Sequence, residues 1–219
     1  MVPVTSDPGA APPGPEVERK VLGLVGIGHT GTRVAALARA FGMTVLATDP
    51  FLTEEEIARR GAAAVSLDEL LARSDVVSLH CPRDKDTLKL IDAQALARMK
   101  RGALFVTTAR GGIHDEAALF AALQSGHIGG AGLDVWDQEP PPLDHPLLTL
   151  DNVVATYHTA GVSHEGRRNV AAIAAEQIVG MLKGGRPPRL INPEVWPAYV
   201  TRFEKAFGLP VQPIEQTLD

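Results

Sequence analysis

The chain has 219 residues, of which 45% are hydrophobic, enough for one large domain with a sizeable core. Its formal net charge at pH 7 is −5, and no basic tract occurs, so we expect no nucleic-acid partner. The single cysteine, Cys81, excludes a disulfide framework and favours a reducing compartment, so we expect a cytoplasmic protein.

The N-terminal stretch Met1–Glu16 is rich in Pro, Gly, Ala and Ser. It lacks both the charged region and the apolar region of a signal peptide, so we expect a disordered lead-in there. No apolar run in the sequence reaches membrane-spanning length, so we expect no membrane partner.

A glycine pattern follows the first apolar run. Val21–Val25 predicts a buried strand, Gly26, Gly28 and Gly31 follow as G-x-G-x-x-G, and Thr32–Phe41 predicts a helix. In this setting the first glycine permits a tight turn, the second lets a pyrophosphate approach the backbone, and the third lets the helix pack closely. The amides and the positive dipole end of the helix would then hold the phosphates.

An acidic residue ends the second predicted strand. Thr44–Thr48 forms that strand, and Asp49 follows it at the distance from the glycines where an acid accepts the hydroxyls of an adenosine ribose. Pro50 and Phe51 come next rather than an arginine, so the pattern favours NAD over NADP. The alternative is a glycine-rich turn with a helix-capping Asp before Pro50.

Helices and strands alternate along most of the remaining chain. The predicted helices are Glu54–Arg60, Leu67–Arg73, Ala93–Met99, Asp115–Gln124 and Gly166–Lys183. The predicted strands are Ala63–Ser66, Asp75–Leu79, Ala103–Thr107, Gly130–Val135 and Val153–Thr156. This alternation predicts an α/β fold of three layers (αβα), a doubly wound parallel sheet of the Rossmann type.

Ligands of such sheets bind outside the carboxyl ends of the strands. Five polar residues follow predicted strands and should gather at that edge: His80, Arg110, Asp134, Glu139 and His158.

Beside a nicotinamide ring, this edge offers the groups that reduction of a 2-oxo acid requires. Arg110 could bind the substrate carboxylate, and His158 could give a proton to the developing alkoxide. Glu139 could orient the imidazole, and Asp134 could bond to the nicotinamide carboxamide. Taken singly, Arg110 could instead cap strand carbonyls, and Glu139 and His158 could be ordinary polar residues of a loop and a strand end.

Metal and nucleophilic catalysis find no support in the sequence. No H-x-x-x-H or C-x-x-C spacing occurs, so we expect no metal site. Cys81 and the serines lack the motif of a nucleophile elbow.

Several ordered blocks resemble the D-isomer-specific 2-hydroxyacid dehydrogenases, from about Lys20 to Trp196. The blocks are Gly23–Gly31 with Asp49-Pro50, Ser74–Pro82 with Thr87, Met99–Leu119, Gly132–Pro140, His158–Gly161 and Ile191–Glu194. The resemblance implies that Arg110, Glu139 and His158 are the catalytic residues and that NAD is the cofactor. It implies cofactor contacts at Gly26, Gly28, His29, Thr30, Gly31, Asp49, Cys81, Pro82, Thr87, Thr108, Ala109, Arg110, Asp134, His158 and Gly161.

The sequence departs from the family pattern in two positions and in length. Thr107 stands where the family usually has Asn, and Tyr157 where it usually has Pro. The resemblance implies a substrate domain of roughly a hundred residues before the glycine strand. The expected division is a lead-in over residues 1–19, an NAD-binding domain over 20–186 and a C-terminal extension over 187–219.

Two functions follow from the resemblance. The first is an NAD-dependent oxidoreductase that interconverts a D-2-hydroxy acid and its 2-oxo acid. The alternative is a non-catalytic NAD(H)-binding module or a truncated fragment that lacks the substrate domain. The family commonly dimerises through this domain, so a homodimer is permitted.

Overall fold

The computed structural model describes residues 16–188 and 190–211. The predicted lead-in, apart from its last residues, and the end of the predicted C-terminal extension lie outside the described residues. The chain divides into two compact units between Ala160 and Gly161. The domain boundaries expected at residues 19 and 186 stay a prediction.

One parallel sheet forms the core of the first unit. Its seven strands lie in the order β3-β2-β1-β4-β5-β6-β7, and every adjacent pair is parallel. The strands are β1 (Val21–Val25), β2 (Thr44–Thr48), β3 (Ala63–Ala64), β4 (Val76–Leu79), β5 (Ala103–Thr107), β6 (Ile128–Leu133) and β7 (Val153–Ala155). The doubly wound α/β fold predicted from the sequence is therefore confirmed. The strand order reverses between β1 and β4, which is where such sheets open a ligand crevice.

Helices connect successive strands, and most begin at a side chain that caps the first turn. In the first unit they are α1 (His29–Ala40), α2 (Glu54–Arg59), α3 (Leu67–Arg73), α4 (Ala93–Arg98) and α5 (Glu116–Gln124). The side chains of Thr53, Ser66, Asp92 and Asp115 accept hydrogen bonds from the first turns of α2 to α5. Capping of this kind stabilises short helices by about 1 kcal/mol each.

Several element boundaries differ from the sequence expectation, and those of α1 and β6 lie nearest the site. Helix α1 begins at His29, three residues before the expected start, because Gly28 serves as an N-cap that has no side chain to mark it. Strand β6 runs over Ile128–Leu133, two residues earlier than the Gly130–Val135 stretch expected to hold it, and Asp134 follows it directly, as the sequence predicted.

The second unit contains two helices, α6 (His164–Leu182) and α7 (Trp196–Phe207), of which the sequence predicted only the first. Within this unit the Tyr199 hydroxyl donates to the Met181 carbonyl at 2.7 Å. Aromatic rings line one side of α7 and contact one another in order: Trp196, Tyr199, Phe203 and Phe207. Among the described residues, no helix is both long and apolar enough to span a bilayer.

A histidine occupies an apolar position in the first unit. His114 is 1% exposed and packs against the Phe105 ring, with 5.4 Å between ring centroids. Neither of its ring nitrogens has a hydrogen-bond partner. Burial lowers the pKa of His114 and outweighs the opposing charges of Glu116, Asp137 and Asp115, so the folded chain holds the ring neutral.

We expect His114→Leu, which keeps the side-chain volume, to raise the free energy of unfolding by about 1–3 kcal/mol. The difference in free energy of unfolding between the variant and the wild type should grow as pH falls below about 6.5. At that pH the unfolded wild type binds a proton at His114 that the folded wild type does not bind. Urea unfolding at pH 7.5 and 5.5 measures both effects.

The matched control for this prediction is His127→Leu. The His127 ring is bonded to the Leu96 carbonyl at 3.1 Å, so its replacement should give no gain. Equal stability of wild type and His114→Leu at both pH values would contradict the prediction.

Candidate functional site

The glycine turn after β1 closes tightly against β4. Gly26 has a φ of 89°, and a Cβ on it would lie 2.7 Å from the backbone nitrogen of Cys81. Both facts exclude a side chain at this position. At Gly28, by contrast, a Cβ would meet no atom within 4 Å. The backbone is therefore open at the point where the sequence predicts a phosphate.

The N-terminus of α1 faces this open space. Gly28 provides no side-chain hydrogen bond to the first turn, and the first turn carries no acidic residue. The chain thus leaves the amides of His29 and Thr30 and the positive end of a 12-residue helix without a side-chain cap. Gly31 is buried in the first turn, close to the Gly26 carbonyl. This arrangement suits a bound anion.

Asp49 follows the end of β2 and stabilises the same turn through hydrogen bonds. Its Oδ2 accepts a hydrogen bond from the Ile27 amide at 3.0 Å, and its Oδ1 accepts one from the Phe51 amide at 3.1 Å. Each carboxylate oxygen can accept a further hydrogen bond, so Asp49 is able to hold ribose hydroxyls while it stabilises the loop.

Two cavities flank the glycine turn. The Asp49 cavity, of about 560 Å³, is lined by Gly26, Gly28, Asp49, Phe51, Cys81, Pro82, Thr87, Leu90 and their neighbours. The helix-end cavity, of about 640 Å³, is lined by Thr30, His80, Cys81, Pro82, Arg83, Thr108, Ala109 and Arg110. The structure therefore brings most of the predicted cofactor residues to the walls of two adjoining cavities, which share His80, Cys81 and Pro82.

The loop after β4 is held by Thr87. Its hydroxyl donates to the Pro82 carbonyl at 2.8 Å and accepts from the Asp84 amide at 2.8 Å. Thr87 thus shapes the cavity wall through backbone contacts.

Cys81, in the same loop, is half-buried. Burial raises the pKa of its thiol, which keeps the thiol protonated.

His158 and Glu139 form a hydrogen-bonded pair beyond the ends of β7 and β6. His158 Nδ1 lies 2.8 Å from Glu139 Oε2, and both side chains are partly exposed. The hydrogen bond from His158 lowers the pKa of Glu139, and the Trp136 amide and the charges of His158 and Arg110 add to this against the opposing effect of burial. Glu139 is therefore an anion near neutral pH.

Arg110 is exposed at the end of β5, where its Nη1 donates to the Ala109 carbonyl at 2.6 Å. It lines the helix-end cavity, and its charge also acts on Glu139. The helix-end cavity therefore has a guanidinium in its wall.

Asp134 organises the turn that carries His158. Its carboxylate accepts hydrogen bonds from the Thr156 hydroxyl and from the amides of Thr159 and Ala160, while its carbonyl accepts from the His158 amide. Burial opposes its charged form, but these hydrogen bonds outweigh burial and lower the pKa of Asp134. The predicted contact between Asp134 and the nicotinamide carboxamide stays a prediction.

The same contacts explain an unusual backbone. His158 has a φ of 54°, a left-handed conformation that costs a non-glycine residue of order 1 kcal/mol or more. Asp134 bonds to three consecutive residues of this turn and so holds the strained histidine in place.

Four residues that the sequence analysis did not connect with the site lie directly behind it: Glu116, Trp136, Asp137 and His145. Gly161, a predicted cofactor contact, is the first residue of the second unit, and a Cβ there would meet no atom within 4 Å. Within the described residues, no group of three or more His, Cys, Asp or Glu side chains could hold a metal ion.

Comparison with known proteins gives a family and several close relatives. The family model described as "D-isomer specific 2-hydroxyacid dehydrogenase, NAD binding domain" matches residues 7–160. D-3-phosphoglycerate dehydrogenase of Archaeoglobus fulgidus is 47% identical over 171 residues, which are 78% of this chain and 32% of the relative. Glyoxylate reductase of Korarchaeum cryptofilum is 45% identical over 182 residues, which are 83% of this chain and 55% of the relative.

Comparison with a solved structure agrees with this family. D-lactate dehydrogenase from Aquifex aeolicus, complexed with NAD and lactic acid, superposes with a TM-score of 0.71 at 34% identity, over 78% of this chain and 55% of that one. The chain thus spans about a third to a little over half of the proteins it matches.

We expect Asp134→Asn to loosen the turn around His158, because one Asn oxygen cannot replace two carboxylate oxygens that accept from three donors. Amide hydrogen exchange at Thr159 and Ala160 should accelerate by about tenfold, equivalent to ~1.4 kcal/mol.

Asp92→Asn is the control, since Asp92 accepts from a single amide at the start of α4 and Asn caps a helix equally well. Unchanged exchange at Thr159 and Ala160 in Asp134→Asn would contradict this account of the turn.

Proposed function

This chain belongs to the D-isomer specific 2-hydroxyacid dehydrogenase family, and from that premise we propose that it is an NAD-dependent oxidoreductase interconverting a D-2-hydroxy acid and its 2-oxo acid. The observation that carries the proposal is the 2.8 Å bond between His158 Nδ1 and Glu139 Oε2, with the charge of Arg110 beside it. These three groups follow three different strands at one edge of the sheet.

The glycine turn fits the cofactor that the proposal requires. The open backbone at Gly28 and the uncapped N-terminus of α1 would take the pyrophosphate, and Asp49 would take the adenosine ribose. The Asp49 carboxylate would repel the additional phosphate of NADP. NAD, when bound, supplies the acceptor or donor of the hydride.

His158 is suited to move a proton at the substrate oxygen. Glu139 engages its Nδ1, so Nε2 is the ring nitrogen that takes the hydroxyl proton in oxidation and returns it in reduction. The anionic Glu139 holds the ring in this orientation through the same hydrogen bond.

Arg110 is suited to bind the substrate carboxylate. A guanidinium presents paired N–H donors that match a carboxylate, and Arg110 is exposed toward the helix-end cavity. The homodimer and the cytoplasmic location remain predictions.

A second candidate function is NAD(H) binding without turnover. The observation in its favour is that this chain spans only 32% and 55% of its two enzyme relatives, so their activities do not transfer as a whole. Under this alternative, the glycine turn and Asp49 keep their roles, and the histidine–glutamate pair does no chemistry.

The test is NADH oxidation by the full chain with glyoxylate, hydroxypyruvate and phenylpyruvate, alongside NADH binding measured by fluorescence. We expect turnover with at least one acid, and we expect His158→Ala to lower kcat by about a hundredfold or more because the proton donor is lost. NADH affinity should fall far less than kcat, because the glycine turn and Asp49 are unchanged in this variant.

His127→Ala, which alters a histidine at the opposite end of the sheet, is the matched control and should keep full activity. Binding of NADH with no turnover above the level of His158→Ala would reject the oxidoreductase and favour the binding module.

A further inference from the structure

A short segment after β6 holds both members of the histidine–glutamate pair. The Trp136 amide donates to Glu139 Oε1 at 3.1 Å, and the Trp136 indole Nε1–H donates to the Thr156 carbonyl at 2.9 Å. Thr156 lies two residues before His158. Trp136 is 2% exposed, so its position depends on the packing around it.

The loop that carries Arg110 is attached to the same segment. Asp137 Oδ1 accepts a hydrogen bond from the Gly112 amide at 2.6 Å. The backbones of Gly111 and Trp136 are so close that a Cβ on Gly111 would lie 1.9 Å from the Trp136 carbonyl oxygen. Trp136 and Asp137 therefore contact the loops of Arg110, Glu139 and His158 together.

A second glutamate–histidine pair lies behind this segment. Glu116 is the first residue of α5, and its Oε1 accepts a hydrogen bond from the Asp137 amide at 2.8 Å. Its Oε2 lies 3.1 Å from His145 Nε2. The Leu147 amide donates to His145 Nδ1, so Nε2 carries a proton and donates it to Glu116. The side chains of Glu116 and His145 are only 13% and 15% exposed.

The His145 ring also supports the indole directly. It meets the Trp136 ring edge-on, with 5.3 Å between centroids and 72° between planes. Glu116 thus holds the backbone of Asp137, and His145 holds both Glu116 and the side chain of Trp136. A hydrogen bond to a carboxylate with so little exposure to water fixes the relative position of the two side chains.

We propose that Glu116 and His145 are positioning residues for the reaction, which hold the segment of Trp136 and Asp137 so that Glu139 stays bonded to His158. The inference rests on the proposed function for its catalytic meaning, but the contacts it invokes are independent of turnover. If this segment shifted, the Trp136 amide would move away from Glu139 Oε1, and the partly exposed carboxylate would be free to leave the imidazole.

The hydrogen bonds in question provide a direct readout. The bond from His158 and then the Trp136 amide lower the pKa of Glu139, so displacement of Glu139 raises that pKa toward its ordinary value. A merely structural role for Glu116 and His145 would lower the stability of the chain without moving this titration.

The experiment is a titration of the Glu139 side-chain carboxyl carbon by NMR, in the full chain without cofactor. His158→Ala removes the principal hydrogen bond to Glu139, so the increase in the Glu139 pKa in this variant is the reference value. We expect Glu116→Ala and His145→Phe each to give at least half of that increase. Glu116→Gln, which keeps an oxygen for the Asp137 amide, should give less than Glu116→Ala.

His127→Phe is the matched control. It also removes a partly buried histidine, in this case one bonded to the Leu96 carbonyl, and it should leave the Glu139 titration unchanged. The proposal is overturned if His158→Ala raises the pKa of Glu139 while Glu116→Ala and His145→Phe do not. Should Glu116→Ala fail to fold, His145→Phe decides by the same criterion, because it leaves Glu116 in place.

The outcome separates this proposal from the proposed function. If the pKa of Glu139 shifts in these variants but the wild type never oxidises NADH, the positioning contacts are supported and the oxidoreductase assignment is rejected. In a chain that turns over, Glu116→Ala and His145→Phe should lower kcat roughly tenfold or more with an unchanged NADH dissociation constant, because only the geometry of the acid–base group has changed.

Discussion

The tight approach of the glycine turn to β4 is the constraint on which the rest of the first unit depends. A Cβ on Gly26 would come within 2.7 Å of the Cys81 backbone, so the chain must turn at once and start α1 at His29. Asp49 fixes the turn through the Ile27 amide. The result is an uncapped helix end aimed into the crevice between β1 and β4, which is where a dinucleotide would bind.

The groups proposed to react are held in a different way, by loops that hydrogen bonds join to one another. Asp134 holds the strained turn of His158, and Trp136 bonds both to Glu139 and to the strand that leads to His158. The sheet brings the loops to one edge, but its register alone does not fix side chains to a few tenths of an ångström. Polar contacts between consecutive loops provide that precision.

Sequence patterns predicted the sheet because buried parallel strands are apolar runs and their carboxyl ends are followed by polar residues. The same rule placed Arg110, Glu139 and His158 at one edge. Periodicity gave no sign of the Glu116–His145 pair, because its members lie on a helix and a loop that meet only in the folded chain. Nor did it indicate that Asp134 bonds to the turn of His158, since composition carries no information on where a carboxylate points.

In the proposed function, the open backbone at Gly28 is the phosphate site of NAD. Gly28→Ala tests this, because a Cβ there would meet no protein atom within 4 Å and so leaves the fold intact. Calorimetry should show NADH binding by the full wild-type chain and an affinity about tenfold lower or worse in the variant, with unchanged unfolding. Equal affinity in both proteins, or no binding by the folded wild type, would rule out a phosphate site at Gly28.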